Sequence, residues 1–216
     1  MGHYIAEPGV ISARGRPELE FNRELALDIR AAVEGRGLTT RLIGADGSMA
    51  KLASRAAAAA GADFFLSVHH DSMQPQFLQT WEHEGALRRF SESQSGFSVF
   101  VSRNNAARGK SLACASAIGA EMRAVGFAPS LYHADPIRGE SKAFADRANG
   151  VHYYDNLVVL KTARMPAALL EAGVIVNRDE EGRMRMPETR QRIAAAVAQA
   201  LARCLPRRDK RGSSAK

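Results

Sequence analysis

Apolar residues recur at helical spacing at Phe21, Leu25, Ile29 and Val33, with Pro17 before them and Gly35 and Gly37 after. Proline suits a first helical turn, Glu18 and Glu20 favour the positive helix start, and glycine suits the end, so the spacing predicts a helix from about Pro17. Leu38 to Ile43 reads as a strand, and the Ala-rich stretch from Met49 to Ala60 as a second helix. Phe64 to Val68 is a short apolar run that ends in His69-His70-Asp71, the pattern of a buried strand that delivers polar groups at its C-terminal end. Residues 72–96 are polar and read as an exposed, irregular excursion.

Beyond it, Phe97 to Ser102 reads as a strand, and Lys110 to Val125 as an amphipathic helix closed by Gly126. Residues 129–150 read as loop with some helix, and Leu157 to Leu160 as a short strand. Ala167 to Val176 contains a second buried strand, and Arg190 to Leu205 a terminal helix. Strands alternating with helices predict an α/β fold over residues 1–205: one domain, with a central mixed, mostly parallel sheet flanked by helices on both faces. Residues 206–216 read as a basic, disordered tail.

Composition narrows the class. With 216 residues, 45% of them apolar and 25% charged, the chain can bury one sizeable core without a metal or disulfide to hold it. A net charge of +7 favours anionic partners, but no nucleic-acid-binding motif is present, and none is expected as partner. Cys114 and Cys204 exclude a thiolate metal cluster and leave two readings, one disulfide or two separate core thiols; the burial habit of free cysteine favours the second. No apolar run reaches the roughly 20 residues that span a bilayer. The start, Met1-Gly2-His3-Tyr4-Ile5, has neither the basic nor the apolar region of an export signal, which leaves a cytosolic chain or one whose start lies upstream.

Two apolar strands carry groups that do not belong in a core. One leads into His69, and the other holds Glu171 within Ala-Ala-Leu-Leu-Glu-Ala-Gly. A carboxylate there is costly unless it is paired, hydrogen-bonded or protonated, or reaches solvent at the strand end. Glu18 shares a helix face with Asn22, Leu25 and Ile29, so it heads the inward stripe, although it equally suits the helix start. His3 is either a terminal side chain or a ligand. Together, two imidazoles and one carboxylate can fill three positions of a tetrahedral zinc site, and a second carboxylate can act as general base and acid.

Four stretches carry a resemblance to a known family. They are Gly2-His3; Pro17-Glu18-Leu19-Glu20-Phe21-Asn22 with Leu25-Ala26; Leu52 and Arg55 followed by Ala62 to Asp71; and Val159 to Gly173 followed by Asn177. In this order and over about residues 2–200, the chain resembles the zinc-dependent N-acetylmuramoyl-L-alanine amidases of the type-3 class. The resemblance implies Zn2+ held by His3, Glu18 and His69, with Glu171 as the catalytic carboxylate. It also implies a peptidoglycan substrate, cut between the lactyl group of N-acetylmuramic acid and L-alanine, and a cell-envelope location. An activating or wall-targeting protein would be a partner.

The chain departs from the family pattern at its start, where a full strand normally precedes Gly-His; the expectation is an upstream strand and export signal. His70 points away from His69 in a strand and reads as a supporting or surface residue. Trp81, His83, His133, Tyr153 and Tyr154 are candidates for a glycan groove or for packing on the domain, and Asn156 reads as a turn residue. Two alternatives stand beside the enzyme: an inactive, amidase-like wall-binding module, and a zinc hydrolase of another amide.

Overall fold

The apolar stripe of the first helix, α1 (Glu18–Glu34), buries Phe21, Leu25, Ile29 and Val33 as its spacing predicts. The computed structural model describes residues 1–205; the expected basic tail lies outside the described residues. The other helices are α2 (Leu52–Ala58), α3 (Arg108–Ala124), α4 (Val158–Lys161), α5 (Arg178–Met184) and α6 (Pro187–Cys204). The strands are β1 (Phe65–Asp71), β2 (Gln79–His83), β3 (Ala86–Phe90), β4 (Ser98–Val101), β5 (Phe144–Asp146), β6 (Val151–Tyr153) and β7 (Ala167–Val174).

Five strands form one sheet in the order β1-β7-β4-β6-β5. β1 pairs with β7 in parallel, β7 with β4 antiparallel, β4 with β6 in parallel and β6 with β5 antiparallel, so the sheet is mixed. Val68, Leu170 and Val99 face a core shared with α1, α3 and α6. Phe65, Leu169 and Phe100 alternate to the other face and meet residues of α2 and α4. Helices therefore cover both faces, and the functional residues stand where β1 and β7 end.

Several local readings change. Leu38 to Ile43 forms no strand, because it has no backbone ladder with β1. Instead, Met1-Gly2 lies between them: the Met1 amino group donates to Ile43 O at 2.9 Å and Gly2 N to Val68 O at 3.0 Å. The 72–96 excursion is not irregular throughout, since β2 and β3 close an antiparallel hairpin within it. Residues 157–160 were too short an apolar run to separate strand from helix; Val158–Lys161 forms α4, packed against β7 through Leu160.

Cys114 of α3 and Cys204 of α6 form a disulfide, contrary to the reading as separate core thiols. The two helices pack side by side and bring the Cα atoms to 5.4 Å, within the normal range for a bridge. The link closes a chain separation of 90 residues. Replacing Cys204 with Ser is expected to lower unfolding stability by about 3 kcal/mol, read from the denaturant midpoint. An unchanged midpoint, with and without reductant, would contradict a stabilising bridge.

Candidate active site

Glu18 is the first residue of α1, yet it is only 3% exposed. A buried carboxylate at this position needs donors, and it has them from several directions. Asn22, one turn along the same helix, donates Nδ2–H to Oε1 at 2.9 Å. The backbone N–H groups of Val10 and His70 donate at 3.2 and 3.3 Å. His3 Nε2 lies 2.9 Å from Oε2, and His69 Nδ1 lies 3.0 Å from Oε1. Burial alone would raise the Glu18 carboxyl, but the hydrogen bonds from His3 and His69 outweigh it and hold the group well below the usual carboxylate range.

One ligand atom each from His3, Glu18 and His69 falls within 4.8 Å of the others. This donor set, two imidazoles and a carboxylate, suits three of the four positions of a tetrahedral Zn2+ site. Its neighbours leave no room for larger residues. A Cβ on Gly2 would lie 2.1 Å from the His69 ring, and one on Gly9 would lie 2.4 Å from Glu18 Oε2. Gly9 also has φ 83°, which glycine adopts without strain. His3 itself has φ 61°, costly for a residue with a side chain. Buried Arg55 helps to hold it there by donating Nη2–H to both His3 O and Met49 O at 2.8 Å.

Glu171 stands beside His69 in the parallel register of β1 and β7. Its Oε2 is buried without a hydrogen-bond partner among the described residues. Burial, then the charges of Asp71 and Glu18, push its carboxyl well above the ordinary value. The four residues singled out from the sequence are thus gathered at one sheet edge. His70 is not a surface residue: it is 2% exposed, with Nδ1 2.9 Å from Asn22 Oδ1, so it supports the residue that donates to Glu18. Burial lowers its pKa to about 3.

Sequence reading missed a second charged group next to the site. His133 Nε2 lies 2.7 Å from Asp71 Oδ2, and its Nδ1 lies 2.9 Å from Glu140 Oε2. No local pattern could signal this, since Asp71 and His133 are 62 residues apart. Of the aromatic candidates, Trp81 packs on the domain: its indole donates to Ala13 O at 2.9 Å, and its ring stacks on His83. His133 is buried among its ion pairs, and Asn156 lies in a turn as expected.

Solved structures that share this fold include N-acetylmuramoyl-L-alanine amidases. The N-acetylmuramyl-L-alanine amidase Ami1 from Mycobacterium smegmatis matches at a TM-score of 0.71 and 25% identity, covering 91% of this chain and 80% of that one. The catalytic domain of CwlV from Bacillus (Paenibacillus) polymyxa matches at 0.67 and 21%, covering 94% and 93%. The CwlD amidase from Clostridioides difficile, solved with the GerS lipoprotein, matches at 0.63 and 16%, covering 94% of each chain. No curated protein sequence matches the chain. The profile of the N-acetylmuramoyl-L-alanine amidase family matches residues 1–203, and the chain belongs to that family, whose enzymes degrade peptidoglycan.

The His133 cluster gives the site a pH signature. Burial would lower the imidazole, but Asp71 and Glu140 outweigh it and raise the pKa from 6.5 to about 9. Burial would raise Glu140, but His133, Lys142 and Gln74 bring it from 4.5 down to about 2. A raised histidine stabilises the fold fully below its unfolded pKa and loses that contribution as pH climbs through the folded value; a depressed carboxyl does the reverse. The cluster is therefore expected to stabilise most between the unfolded values, 4.5 and 6.5. In melting curves, His133→Gln is expected to fall furthest below wild type in that window and to converge with it above about pH 9. A deficit that does not vary with pH would contradict the ion pairs.

Proposed function

We propose that the protein is a zinc-dependent N-acetylmuramoyl-L-alanine amidase that cuts the amide between the lactyl group of N-acetylmuramic acid and L-alanine. His3, Glu18 and His69 hold the metal, and Glu171 is the general base and acid. The observation that carries this reading is the convergence of three ligand atoms within 4.8 Å, with Glu171 alongside His69 and its Oε2 buried without a hydrogen-bond partner among the described residues.

Bound Zn2+ supplies Lewis-acid polarisation of the amide carbonyl and lowers the pKa of water. Glu171 accepts a proton from the attacking water and returns it to the departing alanine nitrogen. Glu18 stays charged, as a ligand must, and Asn22 fixes its orientation.

A cell-envelope location belongs to this reading. The disulfide supports it, because such bonds persist in oxidising compartments. No helix among the described residues is long and apolar enough to cross a membrane. An activating or wall-targeting protein is also part of the proposal, in keeping with the lipoprotein found on CwlD.

The test is a digest of purified peptidoglycan read by mass spectrometry. Stem peptides with a free L-alanine amine are expected, lost with chelator and restored by zinc. Wall left intact at every zinc concentration would overturn the enzyme and favour a binding module. A second outcome concerns Glu171→Ala, which is expected to retain zinc, measured by metal analysis, while hydrolysis falls by at least about a hundredfold. Activity near wild type in that variant would refute the base.

A further inference from the structure

Three adjacent strands place His69, Glu171 and Ser98 in one transverse row. His69 is the Cα partner of Glu171 across β1 and β7, and Ser98 is the Cα partner of Glu171 across β7 and β4. Directly opposed residues of an antiparallel pair project from the same face, with Cβ atoms about 4.5–5.5 Å apart. Ser98 is 0% exposed, and its Oγ has no hydrogen-bond partner among the described residues. The same holds for Glu171 Oε2. Two buried, unpartnered polar atoms thus stand on neighbouring strands, on one face.

Packing does not call for a hydroxyl there. The rest of β4 is Val99, Phe100 and Val101, all buried, and an alanine would continue that strand. An unsatisfied buried hydroxyl is a cost that native structures seldom carry without a reason. Glu171 has the complementary need, since a carboxylate on a flexible arm serves as a base only when its orientation is fixed.

We infer that Ser98 is a positioning residue: a side-chain rotation brings these two unpartnered groups together, so that the hydroxyl donates a hydrogen bond to the Glu171 carboxylate and leaves the other oxygen to face the attacking water. This rests on Glu171 being the base. The proton moves from water to Glu171 and on to the alanine nitrogen, and Ser98 keeps its own proton throughout. When Glu171 is protonated, the same hydroxyl remains bonded to its carbonyl oxygen.

The experiment compares wild type, Ser98→Ala, Glu171→Gln and the double variant on a soluble peptidoglycan fragment. Each is also tested for zinc affinity by chelator competition and for thermal unfolding. Ser98→Ala is expected to lower kcat about tenfold to a hundredfold, the range for a hydrogen bond to a charged group. Its KM, zinc affinity and melting temperature are expected to match wild type, because a donor to Glu171 touches neither metal nor substrate. The double variant is expected to be no slower than Glu171→Gln alone.

If Glu171→Gln abolishes hydrolysis while Ser98→Ala keeps full kcat, the role of Ser98 is overturned and the base stands. If Glu171→Gln itself is active, the base reading fails instead. A further loss in the double variant, or an effect of Ser98→Ala on KM or zinc affinity alone, would also overturn the inference. Ser98→Cys, of similar shape and with a weaker donor, is expected to give an intermediate kcat and carries the test should the alanine variant not fold.

Discussion

Everything at the site is arranged around one buried carboxylate. Glu18 has little access to water, so its charge must be met by protein donors, and each donor constrains a different part of the chain. Asn22 ties it to its own helix, the Val10 N–H brings the loop that follows His3 over it, and the His70 N–H joins it to β1. The two histidines close the circle. That demand explains why residues 2 and 9 are glycine: a Cβ at either would strike the His69 ring or Glu18 itself. It also accounts for the strained backbone of His3, which is held by its contact with Glu18 and by the guanidinium of Arg55 beneath its carbonyl.

The sheet supplies the second half of the arrangement. The parallel register of β1 on β7 puts Glu171 beside His69, and no flexible loop intervenes. Strand-borne groups are placed more accurately than loop-borne ones, which suits the joint role proposed for His69 and Glu171. The two carboxylates then differ in state because their surroundings differ. Glu18 is saturated with donors and remains charged, whereas Glu171 has one buried oxygen with no hydrogen-bond partner among the described residues and is pushed toward its protonated form. A residue that stays charged fits a ligand, and one that resists charge fits a proton carrier.

Much of this was legible in the chain. Periodicity located α1, α3 and α6, and the apolar runs before His69 and around Glu171 marked the two strands that matter. His69 and Glu171 stood out as polar groups on apolar strands, whereas His3 and Glu18 also fitted a chain end and a helix start and were singled out through the family resemblance. What escaped was whatever depends on long-range pairing. Leu38 to Ile43 has the composition of a strand, but a strand exists only through a neighbour, and the segment has no ladder. Cys114 and Cys204 gave no spacing signal, because only the packing of α3 on α6 brings them together. His133 and Asp71 meet across 62 residues, and Ser98 looks like any serine until the register sets it opposite Glu171. Leu157 to Leu160 went the other way, as a four-residue apolar run read as a strand whose contacts make most of it helical.

If Glu18 organises one metal site with His3 and His69, as proposed, Zn2+ titrated by calorimetry into chelator-treated protein binds one equivalent per chain, and binding weakens by at least about a hundredfold when Glu18 is replaced by Ala. Zinc bound equally well by that variant, or no stoichiometric binding by the wild-type chain, would contradict it.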